Sequence, residues 1–128
     1  MGLKIIVIDD SSIVRGMLKK VMVLSGLDIQ EVIEASNGQE ALDKLSGRLV
    51  DLAFLDINMP IMNGMEFMEK VRADENLKAL PVVVVSTEGS QERITRMKEL
   101  KVMHYLRKPV TPEQLSTTIK DLLGGKNG

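Results

Sequence analysis

Short β-branched apolar runs, alternating with longer stretches of helical period, constrain this chain more than any other feature of its sequence. The runs "LKIIVI" (Leu3–Ile8) and "PVVVVS" (Pro81–Ser86) are nearly continuous in aliphatic residues, as expected of strands covered on both faces. Weaker runs at Glu31–Ala35, Asp51–Leu55 and Met103–Leu106 read as three further strands. The stretches between them carry helix punctuation. "SSIVRGMLKKVMVLSG" offers serine caps, places Val14, Met17, Leu18, Val21 and Met22 on one face and stops at Gly26. In "NGQEALDKLSG", Asn37 and Glu40 have capping-box spacing, Ala41, Leu42 and Leu45 point inward, and Gly47 ends the helix. Further helices are predicted at about Gly64–Ala73 and Ser90–Leu100. A last one starts from Thr111, where "TPEQ" supplies a cap, a proline at the first helical position and Gln114 at the capping-box position.

Five βα units in succession, joined by right-handed crossovers, demand a parallel sheet sandwiched by helices. The expected fold class is therefore α/β: a doubly wound (βα)5, flavodoxin-like sheet of order 2-1-3-4-5. A chain of 128 residues is one domain by size, assigned to residues 1–124, with 125–128 as a flexible C-terminal tail. In such sheets the binding crevice lies at the carboxyl ends of the strands, where the order reverses between strands 1 and 3.

Composition limits what chemistry that crevice can hold. The chain has no cysteine, so disulfides, thiolate nucleophiles and cysteine-bound metals are excluded. Its single histidine, His104, rules out a zinc site of paired histidines and reads as a partly exposed strand residue. A net charge of -1, with no Lys/Arg cluster longer than two residues, leaves no electrostatic footprint for nucleic acid. The apolar run Ile5–Ile8 is far too short for a signal-peptide core or a membrane span. A soluble, cytoplasmic protein with neither nucleic acid nor membrane as partner is expected.

Reading the strand ends in turn gives Asp9 and Asp10, then Asp56, then Ser86 and Thr87, then Lys108 followed by Pro109. Three carboxylates at one edge repel one another and raise at least one pKa. A hard divalent cation removes that conflict: Mg²⁺ takes carboxylate oxygens, keeps several waters and accepts a phosphoryl oxygen. In formal charge the three carboxylates balance Mg²⁺ plus one lysine. Asp56 is then a candidate nucleophile toward phosphorus, with Mg²⁺, the Lys108 ammonium and the Ser86 hydroxyl to stabilise the equatorial oxygens. Asp9 and Asp10 alone would also serve as helix caps, and Lys108 alone as a surface lysine. Their convergence on Asp56 favours metal-assisted phosphoryl transfer.

Four motifs stand in order along the chain: "VIDDSSIVR", "FLDINMPIMNG", "VVVVSTEG" and "YLRKPV". With them the sequence resembles the receiver domains of two-component response regulators from Lys4 to Leu123, and in extent the single-domain chemotaxis members. The resemblance implies that Asp56 is phosphorylated from a sensor histidine kinase. It implies that Asp10, Asp56 and the Asn58 carbonyl ligate Mg²⁺ while Asp9 binds through water. It further implies that Lys108 contacts the phosphoryl group across a cis peptide to Pro109. Ser86 and Tyr105 would be the switch residues, remodelling the surface of helix 4, strand 5 and helix 5 for a downstream target protein. Asn58 and Glu88 would set the phosphate lifetime. Two departures stand out. Ser86 occupies a position where threonine is commoner, losing the methyl that stiffens χ1. No glycine stands near Lys101, so helix 4 is not expected to close with a left-handed cap.

The expected function is a stand-alone phosphoacceptor, monomeric or dimerising on phosphorylation, that assists its own phosphorylation and dephosphorylation without being an enzyme. A phosphorelay carrier that passes the group to another histidine is the alternative. A haloacid-dehalogenase-type phosphatase would want an aspartate two residues after the nucleophile, where this chain has Asn58. A pseudo-receiver that never takes phosphate does not fit the intact acidic set. The nine methionines read mostly as core filler at helical spacing, although Met59, Met62 and Met65, which flank the active loop, are also candidates for an adaptable docking patch.

Overall fold

The computed structural model describes residues 2–87 and 89–124; the tail at 125–128 and Glu88 lie outside them. The strands are β1 (Leu3–Ile8), β2 (Ile29–Ala35), β3 (Leu52–Leu55), β4 (Val82–Ser86) and β5 (His104–Arg107). Between and after them run α1 (Ser12–Leu24), α2 (Gly38–Leu45), α3 (Gly64–Ala73), α4 (Gln91–Glu99) and α5 (Pro112–Ile119), which leads into a π-helical turn, Lys120–Gly124. The five strands form one sheet of order β2-β1-β3-β4-β5, and every neighbouring pair is parallel.

Strand alternation divides the core in two. Ile6, Ile8, Ala53, Leu55, Val82 and Val84 join one buried cluster with Phe67, Met68 and Met97 from α3 and α4. Ile5, Val7, Leu52, Phe54, Val83 and Val85 face the other way, onto Leu18 and Met22 of α1 and Leu115 and Ile119 of α5. Burial on both faces is why β1 and β4 read as unbroken apolar runs instead of alternating ones. Met17, expected on the inner face of α1, is 54% exposed, because only Leu18 and Met22 on that helix reach the sheet fully.

Element ends depart from expectation by a residue or two where a local bond competes. Asp51 sits just ahead of β3, its N–H donating to the Lys4 carbonyl at 2.8 Å while its carboxylate accepts from the Lys4 N–H at 2.8 Å. Pro81 has no N–H to donate, but its carbonyl accepts from Ala53 at 2.9 Å. The Asn37 cap accepts from the Glu40 N–H at 2.8 Å. Its capping box is left half-formed, since the Glu40 carboxylate reaches one residue further and accepts from the Ser36 N–H at 2.9 Å. The box on α5 between Thr111 and Gln114 is complete.

The end of α4 corrects the sequence reading. Lys101 adopts φ 64°, the left-handed conformation, without being glycine. Arg72 of α3 holds that turn in place: Nε donates to the Leu100 carbonyl at 2.7 Å and Nη2 to the Lys101 carbonyl at 3.2 Å. Its Nη1 also donates to the carbonyls of Lys78 and Leu80. The turn still closes internally, with the Lys101 N–H donating to the Lys98 carbonyl at 2.9 Å and the Val102 N–H to the Met97 carbonyl at 3.2 Å, and the charged fork adds partners for the carbonyls just beyond. Lys101→Gly is expected to remove the left-handed penalty and raise stability by ~1 kcal/mol; equilibrium denaturation measures it.

Candidate functional site

Each strand end hands its functional side chain to the crevice through one hydrogen bond that extends the ladder. The Asp9 N–H donates to the Ala35 carbonyl at 3.0 Å, the Asp56 N–H to the Ile8 carbonyl at 2.9 Å, and the Lys108 N–H to the Ser86 carbonyl at 3.2 Å. Because β1 and β3 lie side by side, with Ile8 paired to Leu55, Asp9 and Asp56 leave the sheet as neighbours. The Lys108–Pro109 peptide is cis.

Carboxylate oxygens of Asp9, Asp10 and Asp56 lie within 4.8 Å of one another. Asp9 and Asp56 are buried, at 2% and 7% exposure, while Asp10 opens to solvent. Lys108 Nζ stands 2.8 Å from Asp9 Oδ2 and 3.8 Å from Asp56 Oδ2, so its charge is committed mainly to Asp9. The backbone supplies further donors: Ser11 N–H to Asp9 Oδ1 at 2.9 Å and Ile57 N–H to Asp56 Oδ1 at 2.8 Å. The Ser86 hydroxyl, fully buried, bonds the Asp56 side chain.

Burial above all, and then the charge of Asp9, raise the Asp56 pKa above the ordinary carboxylate value. The bonds from Ser86 and Ile57 and the Lys108 ammonium only partly oppose them. A folded pKa above the unfolded one means that the folded state holds the proton more tightly. The associated stability is complete below the unfolded value and is lost as pH rises through the raised folded value. In metal-free protein, Asp56→Asn is therefore expected to raise Tm at neutral pH, and its advantage over the wild type should shrink steadily as pH falls toward about 4. Thermal melts in chelator across that range check the sign.

The residues fit a hard divalent cation. Three oxygen-bearing side chains share one small volume, two of them screened from water, with one lysine against three negative charges. One open side, at Asp10, leaves room for the waters that Mg²⁺ retains.

Asn58 follows two residues after Asp56 in the same loop, exposed. Tyr105 is half-buried on β5 opposite Val84, packed against the cluster that contains Met97. It lines a surface cleft with Ile94, Lys98, Met103 and Arg107, away from the three carboxylates. Glu88 is outside the described residues. Met59 and Met62 are 9% and 7% exposed and belong to the core, as the core-filler reading expects, and Met65 is partly buried against the same cluster, so the docking patch is corrected. The β3–α3 loop passes through Ile61 at φ 67°, an uncommon conformation for a β-branched residue.

Sequence reasoning missed Arg15. Its guanidinium lies between the carbonyl of Asp9 and the carboxylate of Glu34. The available signal was Arg15 and Lys19 at helical spacing four apart, two cations on one face of α1, both of which meet Glu34 on β2.

With fold and site described, the comparisons with known proteins become specific. Residues 5–120 match the response regulator receiver domain, and the chain belongs to that family, for which Mg²⁺ and a phosphoaspartate are standard. It is similar to a chemotaxis protein CheY homolog of Campylobacter jejuni, 37% identical over 127 residues, covering 98% of this chain and 96% of that protein. It is also similar to chemotaxis protein CheY1 of Helicobacter pylori, 37% identical over 123 residues, covering 95% and 98%. Among solved structures, chemotaxis protein CheY4 of Vibrio cholerae aligns with TM-score 0.84 and 33% identity over 96% of this chain and 100% of that one. The phosphorylated cyanobacterial phytochrome response regulator RcpA aligns with TM-score 0.83 and 26% identity over 98% and 96%. Among the described residues no helix is long and apolar enough to cross a membrane.

Proposed function

We propose that this protein is a cytoplasmic phosphorylation switch that takes a phosphoryl group from a sensor histidine kinase onto Asp56 and then binds a downstream protein. The observation that carries the reading is the cluster of Asp9, Asp10 and Asp56 against a single lysine, a charge imbalance that a resident cation closes. That a structural neighbour was solved phosphorylated supports it.

Asp9, Asp10, Asp56 and the Asn58 carbonyl would hold Mg²⁺, Asp9 through water. Bound there, Mg²⁺ supplies charge neutralisation for the phosphoryl oxygens. A carboxylate oxygen of Asp56 attacks phosphorus as the P–N bond of the donor phosphohistidine breaks. The bonding pair stays on the imidazole, and the product is an acyl phosphate. Ile57 and Ser86 already hold the carboxylate by hydrogen bonds, so little reorientation is needed before attack. Lys108 exchanges Asp9 for a phosphoryl oxygen, and the Ser86 hydroxyl turns to the same group. Withdrawal of Ser86 and Lys108 from their resting partners biases the β4–α4 and β5–α5 loops. Tyr105 then settles differently between α4 and β5, a population shift that presents the α4–β5–α5 face to the target. Asn58 and Glu88 tune how long the phosphate survives, and the protein turns over no substrate of its own.

Incubation with Mg²⁺ and acetyl phosphate should add one phosphoryl group to the intact mass, and Asp56→Ala should abolish it. No modification of the wild type, with a histidine kinase donor as well, would contradict the proposal. Multiple-turnover hydrolysis of unrelated phosphate esters would favour a phosphatase instead.

A further inference from the structure

We infer that Arg15 is a positioning residue for the acidic site: it sets the direction of Asp10 by locking the Asp9–Asp10 peptide, and Glu34 and Lys19 hold it in place. This rests on the functional reading above.

Every polar group of Asp9 is occupied. Its N–H donates to Ala35, Oδ1 accepts from Ser11 and Oδ2 from Lys108. The remaining group, the backbone carbonyl, accepts from Arg15 Nη1 at 2.6 Å. That carbonyl belongs to the peptide plane joining Asp9 to Asp10, and the tilt of the plane decides where the Asp10 Cα–Cβ bond points. Asp10 is the exposed member of the three-carboxylate cluster, so the restraint acts where burial does not.

The guanidinium is itself fixed. Arg15 Nε donates to Glu34 Oε1 at 3.0 Å, and Lys19 Nζ meets Glu34 Oε2 at 3.0 Å. Glu34 sits on β2 opposite Val7 of β1, and its backbone carbonyl accepts from Lys44 at 2.6 Å. Its carboxyl is held below the usual range by the Lys19 and Arg15 hydrogen bonds. The Arg15 side chain is only 16% exposed. A planar fork with donors on two edges reaches the carbonyl and the carboxylate together; a lysine ammonium at the same place has no such geometry.

The sign of the effect separates positioning from electrostatics. Arg15 is a cation near a cation site, so by Coulomb's law its removal should tighten Mg²⁺ binding. Positioning requires the opposite. Mg²⁺ titrations followed by the Asp10 and Ile57 amide resonances, well below Tm, are the test, with phosphorylation by acetyl phosphate measured at saturating Mg²⁺. Arg15→Met is expected to weaken Mg²⁺ about tenfold, in the range seen when supporting partners of metal ligands are lost. Arg15→Lys should weaken it comparably, and the rate at saturating Mg²⁺ should stay near wild type in both. Arg48→Met, which removes a different ion pair to β2, at Glu31, should leave the affinity unchanged. An unaltered or tighter affinity in Arg15→Met overturns the inference, as does equal weakening by Arg48→Met or full rescue by lysine. No Mg²⁺ response in the wild type itself would instead defeat the functional reading, and this inference with it.

Discussion

Lys108→Ala is expected to destabilise the metal-free protein by ~3 kcal/mol and to disconnect phosphorylation from its consequences. The first effect follows from the resting geometry. Lys108 Nζ stands 2.8 Å from the buried Asp9 carboxylate and 3.8 Å from that of Asp56, so truncation leaves two buried anions facing each other, and removing one member of a buried pair costs more than the pair itself contributes. Saturating Mg²⁺ should recover much of the loss, because the cation replaces the missing charge. The second effect concerns the switch. The variant should still accept phosphate from acetyl phosphate, yet beryllofluoride, a phosphoryl mimic, should no longer shift the Tyr105 amide resonance. Denaturation with and without Mg²⁺ reads the first effect, and amide spectra the second. A Tyr105 response equal to wild type would count directly against the role assigned to Lys108.

Gly64→Ala is expected to be the most damaging conservative change near the site. A Cβ there would stand 2.5 Å from the Asp56 carbonyl oxygen and 2.8 Å from the Ile57 Cα, and both are backbone atoms with no flexible end to yield. The same glycine donates its N–H to the Ile57 carbonyl at 2.8 Å, so α3 begins against the loop that carries Asp56. Overpacking at such a contact costs ~3 kcal/mol. The displacement it forces on Asp56 should slow phosphoryl uptake about tenfold or more, since reacting groups tolerate little misplacement. Gly16→Ala is the matching control: nothing lies within 4 Å of a Cβ at that exposed α1 position, so it should gain ~0.5–1 kcal/mol and phosphorylate normally.

Where the sequence was legible, one physical signal dominated. β1 and β4 are covered on both faces, so their residues had to be apolar throughout, and strand order followed from crossover handedness. Asp9, Asp56, Ser86 and Lys108 were legible because each ends a strand at the side of the sheet where the order reverses. Two-body contacts between distant elements were not. Arg72 holding the Lys101 turn, and Arg15 joining Asp9 to Glu34, depend on how helices pack on the sheet, which no local pattern encodes. The absence of glycine near Lys101 therefore misled, since the left-handed turn closes on Met97 and Lys98 with a lysine in the glycine's place, and a long-range cation bonds the carbonyls beyond it. Met17 misled in a related way. Apolar period locates a face, but how deep each residue on it lies is set by neighbouring elements.

The most direct test of the account is to locate the phosphoryl group among three clustered carboxylates. Protein phosphorylated with acetyl phosphate and Mg²⁺ is treated with borohydride, which reduces an acyl phosphate to the alcohol, and is then mapped by peptide mass spectrometry. The account predicts reduction at Asp56 alone, because Ile57 and Ser86 hold its carboxylate while Lys108 is committed to Asp9. Reduction at Asp9 or Asp10, or at no carboxylate of a protein that has gained phosphoryl mass, would contradict it.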